Sequence, residues 1–157
     1  MSAQVNPPTL GAQTLVSLAI ITDLPVPKSG QPTTAGGYVL MGCTKDISLD
    51  LPSEELHAIS CGLNSTEWMV PGKTVPGKLD VKMLDFADVM AVDPVQTFNN
   101  QRTVAKLVTY DQEGAVARTI YCIDWQPKIS INFPDGDGEV MVTGSGEFAR
   151  IIVVGTT

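Results

Sequence analysis

Two stretches decide the fold: Tyr38-Val-Leu-Met-Gly-Cys-Thr-Lys-Asp-Ile-Ser-Leu-Asp-Leu51 and Lys78-Leu-Asp-Val-Lys-Met-Leu-Asp-Phe86. In the first, the odd positions are mostly apolar (Val39, Met41, Cys43, Ile47, Leu49, Leu51), and from Thr44 onward the even ones are polar (Thr44, Asp46, Ser48, Asp50). In the second, Leu79, Val81 and Met83 fall on one face and Lys78, Asp80 and Lys82 on the other. Alternation of period two predicts a pair of strands, each with one buried and one wet face. The segment between them is rich in Pro and Gly and far longer than ordinary strand connections need. A long loop over residues 52–77 of a small domain is expected to be a working part, such as a lid, a binding loop or an assembly arm.

The rest of the chain predicts more strands. Thr14–Thr22 is rich in β-branched residues, which favours a strand. Asp23–Gly37 carries Pro25, Pro27, Pro32 and Gly36-Gly37 and reads as an extended connector. Met1–Gly11 is polar, with Pro7-Pro8, and reads as a flexible arm. Ser53-Glu54-Glu55 could start a helical turn. Val70-Pro-Gly-Lys73 and Val75-Pro-Gly-Lys78 repeat the composition of a type II turn, which predicts a ribbon-like excursion. Asp93-Pro94-Val95-Gln96 has a cap, a first-turn proline and a capping-box partner, so a short helix is expected to run to about Arg102. Thr103–Tyr110 and Ala115–Trp125 flank a turn ending in Gly114, and Lys128–Phe133 and Gly138–Thr143 flank Pro134–Asp137. Glu147–Val154 reads as one apolar strand, buried or between subunits. The expected fold is mainly β: a sandwich or small barrel of antiparallel strands with one short flanking helix and a long loop. Residues 1–37 form the arm and connector, and 38–157 the β domain.

Composition narrows the function classes. The chain has 157 residues, enough for a core, with only 6% aromatic and 17% charged residues. Many apolar residues with few charges suggest surface hidden in an oligomer. A net charge of −7 argues against ordinary nucleic-acid binding, which needs a basic face. Cys43, Cys61 and Cys122 are odd in number and do not form a disulfide framework; they read as reduced thiols, Cys43 as a core residue. The apolar run Leu15–Ile21 has no basic leader before it and is far short of the ~20 residues of a membrane span. Synthesis inside the cell, with no membrane segment, is expected.

A search for chemistry finds no constellation. His57, the single histidine, could meet Cys61 only if the loop were helical, and no oxyanion element or third group accompanies them. One His and three scattered Cys do not make a zinc site. Asp135-Gly-Asp-Gly-Glu139 lacks the register of a calcium loop and suits a turn. Gly144-Ser145-Gly146 is not followed by Lys-Ser/Thr or a helix, so it is no phosphate loop. No catalytic, cofactor-binding or metal residue is expected, and the chain is not read as an enzyme.

Taken in order, Gly42–Pro52, the long loop ending in Pro-Gly turns, the strand Lys78–Phe86, the short helix, the hairpin to Trp125 and the segment Ile129–Gly146 resemble the major tail tube proteins of long-tailed bacteriophages. Type VI secretion tube proteins share that fold. The order of elements carries the resemblance; no single motif does. It implies a virion protein made in the host cytoplasm, assembling as hexameric rings that stack into a tube for DNA ejection. Implied partners are further copies of the chain and the tail terminator, tape measure and baseplate proteins, with DNA passing unbound. Implied lumen-facing residues are Thr44, Asp46, Ser48, Asp50, Lys78, Asp80 and Lys82. Implied inter-ring residues are Glu54, Glu55, His57, Trp68 and Lys73. The competing readings are a tail terminator, connector or baseplate ring of related fold, and a β-barrel for a small ligand, against which the few aromatics speak.

Overall fold

The computed structural model describes residues 14–40, 43–61, 66–84 and 94–155. The arm expected at residues 1–11, the cap at Asp93 and the far end of the second strand at Phe86 lie outside them. Strands β1 (Thr14–Ile20), β2 (Val39–Leu40), β7 (Thr103–Tyr110), β8 (Val116–Trp125) and β11 (Arg150–Gly155) form one sheet, in the order β11-β8-β7-β1-β2. Strands β3 (Cys43–Asp50), β6 (Gly77–Leu84), β9 (Lys128–Asn132) and β10 (Met141–Phe148) form a second, in the order β3-β6-β10-β9. All pairings within both sheets are antiparallel. The architecture is a sandwich, and the described strands do not close into a barrel.

Alternation fills the space between the sheets. Val16 and Leu18 of β1, Ala105 and Leu107 of β7 and Cys122 of β8 meet Leu79, Val81 and Met83 of β6 and Val142 of β10. The Val, Leu and Met side chains among them each contribute about 1.5–3 kcal/mol on burial. Trp125 joins the two sheets. Its buried indole N–H donates to the carbonyls of Leu79 at 3.2 Å and Gly146 at 3.1 Å, which are register partners on β6 and β10. This crossing needs glycine at 146, where a Cβ would collide with the carbonyl of Gln126. Gly77 is needed for the same reason: a Cβ there would lie within the Phe148 ring, 2.6 Å from Cε2.

Several expectations are corrected. Tyr38–Leu51 is not one strand: β2 belongs to the first sheet and β3 to the second. Glu147–Val154 is likewise split. Glu147 and Phe148 end β10, and at Ala149, whose N–H donates to the Ile123 carbonyl at 3.0 Å, the chain crosses to β11 in the other sheet. Hydropathy is continuous across both crossings, so it does not reveal them. The helix α1 (Pro94–Phe98) stops short of Arg102, because Asn100 takes positive φ (61°). Asn99 then turns its side-chain carbonyl to the Ile129 N–H at 3.0 Å.

The connector folds back on the sandwich. Ile21 bridges Thr34, and the N–H of Thr22 donates to the Thr33 carbonyl at 2.9 Å. Val26 and Tyr38 pack with Ile21, Val104 and Ile123 in a second apolar cluster. The Arg150 guanidinium donates to the carbonyls of Pro27 and Gly30 and pins the flap.

The stretch expected as a long loop is a two-stranded antiparallel ribbon, β4 (Ser53–Cys61) with β5 (Thr66–Val75), paired with neither sheet. Ser53-Glu54-Glu55 starts a strand, not a helical turn. The first Pro-Gly pair lies within β5, level with a register shift between Glu54 and Leu56, and Gly77 opens β6 without positive φ, so two type II turns do not form. Pro71 reads as a breaker, but each strand of a two-stranded ribbon is an edge and tolerates it.

Candidate functional site

The outer face of the four-stranded sheet gathers six of the seven residues expected at the lumen. Antiparallel register sets them in rows across β3, β6, β10 and β9. One row runs Asp50–Lys78–Glu147, the next Ser48–Asp80–Ser145–Lys128, and the third Asp46–Lys82–Thr143–Ser130. Asp46, Ser48, Asp50, Lys78 and Lys82 are exposed, and Asp80 is half-buried. Asp80 accepts a short hydrogen bond from the Ser145 hydroxyl and lies 3.7 Å from Lys78 Nζ. The three rows hold four carboxylates and three ammonium groups, one net negative charge per copy. Their lengthwise alternation keeps opposite charges close, so the face is wet and nearly neutral instead of strongly acidic.

Thr44 stands apart from these rows on the backbone. A bulge between Thr44 and Asp46 sets Thr44 level with Met83 and Asp46 level with Lys82, so the alternation read from Thr44 to Asp50 holds in register only from Asp46 onward. The side chains of Thr44, Glu55, His57, Trp68 and Lys73 lie outside the described part; Glu54 is exposed at the start of the ribbon.

Five further residues share the face: Lys128, Ser130, Thr143, Ser145 and Glu147. Their signal was present as the polar alternation Thr143, Ser145, Glu147. It was masked because the inward positions between them are Gly144 and Gly146, which do not read as a hydrophobic stripe.

Among the described residues the catalytic candidates do not come together. His57 and Cys61 lie on one strand four residues apart, about 13 Å at ~3.3 Å per residue, so they do not converge. Burial pushes the Cys122 thiol up to about 12, far from a reactive thiolate. Among the described residues no group of His, Cys, Asp or Glu could hold a metal ion. Arg102 makes a two-pronged pair with Asp124, at 2.8 and 2.6 Å, which raises the guanidinium further and fixes the β7–β8 junction. A groove of about 360 Å³ beside the ribbon base is lined by Pro76, Asp124, Gln126, Glu147, Phe148 and Ala149, with no nucleophile–base pair.

No family model and no curated protein sequence matches the chain. Solved structures do. A chain of the cryo-EM structure of the anti-feeding prophage cap, the AFP tube terminating cap, superimposes with a TM-score of 0.65 at 8% identity, over 99% of this chain and 97% of that one. A chain of the PVC extracellular contractile injection system, solved as the sheath/tube terminator in the extended state, gives 0.65 at 11% identity over 96% and 99%. Another, from the PVC sheath-tube complex in the extended state, gives 0.64 at 12% identity over 95% and 93%. The fold is shared. At these identities the likeness speaks for the architecture alone.

Proposed function

We propose that the chain is a structural ring subunit of a phage-tail-like tube, with no enzymatic activity. What carries the reading is the extent of the likeness: nearly the whole of both chains superimposes on subunits from tube, terminator and baseplate assemblies. Two features of this chain support it. The sandwich has one sheet whose outer face is polar along three rows, suited to a water-filled channel. The β4–β5 ribbon pairs with neither sheet, and a two-stranded hairpin is marginal in water unless something covers it. In this reading Asp46, Ser48, Asp50, Lys78, Asp80 and Lys82 line the lumen, and Thr44, level with Met83, falls out of the set. Glu54, Glu55, His57, Trp68 and Lys73 of the ribbon meet the adjacent ring.

The near-neutral face has too little positive charge to hold a polyanion, so DNA would pass without being bound. The partners are further copies of this chain in six-membered rings, a terminator, a tape measure and baseplate proteins, and the location is the particle's tail.

A second reading has an observation of its own. Two of the similar structures are a tube terminating cap and a sheath/tube terminator, which favours a single capping ring equally well. Light scattering and negative-stain microscopy of the purified chain, over a range of concentration and salt, separate the two. Stacked tubes support the tube subunit and discrete rings the terminator. A chain that stays monomeric throughout counts against both.

A further inference from the structure

The two outer faces of the sandwich differ in kind. On the five-stranded sheet, register sets three rows pointing away from the core. Ala19, Val104 and Ile123 make the first; all are buried, and Val26 of the connector packs there. Leu40, Ser17, Lys106, Tyr121 and Ile152 make the second. Leu15, Val108, Thr119 and Val154 make the third. Leu15, Leu40 and Val154 are exposed and the others of these two rows half-buried. Neither row holds a carboxylate, in a chain of net charge −7.

Lys106 stands at the centre of this open half. Its Nζ lies 5.3 Å from the ring centroid of Tyr38 and 6.0 Å from that of Tyr121, and the two rings are tilted, 6.2 Å apart. Among the described residues neither the ammonium nor the two phenol hydroxyls has a hydrogen-bond or ion-pair partner. Burial, and then Tyr121, push the Tyr38 hydroxyl up, so it keeps its proton at neutral pH. The surface is therefore aromatic and aliphatic, with three donors and no anion. Its complement is an apolar segment with free carbonyls and few N–H groups. A proline pair has that chemistry. Its amides carry no hydrogen, extended proline segments leave their carbonyls without internal partners, and such segments dock on aromatic surfaces.

Thirteen residues precede β1. They carry no charged side chain and include Val5, Pro7, Pro8 and Leu10. Strand β1 opens at Thr14, level with Thr109 and just past the row of Leu15, so this segment joins the sheet at the uncovered end of the face. From β1 to β11 is three strand spacings, about 14 Å at ~4.8 Å each. Residues 4–10, extended as a proline-type helix, reach about 22 Å. We propose that residues 4–10 lie across the open half of their own chain's five-stranded sheet, with Pro7-Pro8 seated on Tyr38, Lys106 and Tyr121. Gly11 provides the reversal before β1, because glycine takes positive φ without strain. So short a tether holds the segment at a millimolar effective concentration, which favours its own chain over a neighbour in dilute solution. The proposal concerns the face opposite the polar rows and holds for a tube subunit and a terminator alike.

Hydroxyl-radical labelling of the full chain, read residue by residue by mass spectrometry, tests it. Two full-length variants give the comparison. Pro7→Gly with Pro8→Gly removes the stiff extended pair, and Val5→Ser with Leu10→Ser removes the apolar anchors. All four positions precede the sandwich, so folding of the sheets is not at stake. A contact of about 0.1 mM affinity under a millimolar effective concentration is closed about nine-tenths of the time. Tyr38 and Tyr121 should therefore label about five- to tenfold faster in either variant than in wild type. Phe133, exposed beyond β9 of the other sheet, should label alike in all three. The wild-type rates should hold steady between about 1 and 100 µM, because the contact lies within one chain. Equal labelling of wild type and variants overturns the proposal. So does protection that grows with concentration, which assigns the face to a neighbouring copy. A face labelled freely in the pure chain and protected only in a whole particle belongs to another protein and overturns it too. Ring formation is scored separately by negative stain, so the failure of either reading leaves the other standing.

Discussion

Replacing Trp125 by phenylalanine tests how the two sheets are held in register. Trp125 is fully buried, and its indole N–H serves Leu79 on β6 and Gly146 on β10. Phenylalanine keeps a ring in the core but offers no donor. The two carbonyls belong to paired strands and keep some of their bonding, so the hydrogen-bond loss is about 1 kcal/mol. The smaller ring gives up packing worth about 1–2 kcal/mol more. The expected total is about 2–3 kcal/mol, or about 5–10 °C in Tm for a chain of this size. Urea unfolding followed by far-UV circular dichroism, below the concentration of assembly, measures it. A loss under about 0.5 kcal/mol would refute the idea that this side chain pins the polar sheet to its partner.

Other outcomes follow from the same geometry. Gly146→Ala should cost about 1–3 kcal/mol in urea unfolding, and more than Gly77→Ala, because the first meets a backbone carbonyl and the second a ring that can shift. Arg150→Ala removes the donor to Pro27 and Gly30, so amide exchange of residues 22–34 should quicken while that of β7 and β8 stays slow. Cys122 should resist alkylation at pH 8 until the chain unfolds, given a folded pKa of about 12. The sign for stability follows: the folded state holds this proton more tightly, so stability is intact below the unfolded value of 9.0 and falls as pH rises from there to about 12. A Cys122→Ala variant should show a shallower alkaline loss.

The β character of the chain and the polar face of β3 and β6 could be read from alternation, because both strands cover the core on one side only. The hairpin of β7 and β8 could be read from its turn. Asp111 accepts the N–H groups of Glu113 and Ala115 at 2.9 Å each, and Gly114 takes φ 86°. What alternation cannot report is which sheet a strand joins. The crossings after β2 and at Ala149 occur inside runs of uniform hydropathy. The ribbon was hidden for a different reason: Pro71-Gly72 signals a loop, and an edge strand with no described strand outside it tolerates the pair. The contribution of β10 to the polar face was obscured by Gly144 and Gly146, which sit where apolar side chains were expected; at Gly146 the Trp125 indole and the Gln126 backbone crowd that side. The helix start was legible from Pro94, whereas its early end depends on Asn100.

A cryo-EM reconstruction of the assembled chain tests the central claim most directly. The account predicts rings with the β3-β6-β10-β9 sheet turned toward a central channel and Asp46, Ser48, Lys78, Asp80 and Lys82 on its wall. An assembly with the β11-β8-β7-β1-β2 sheet facing the channel, or a chain that builds no ring at all, would contradict it.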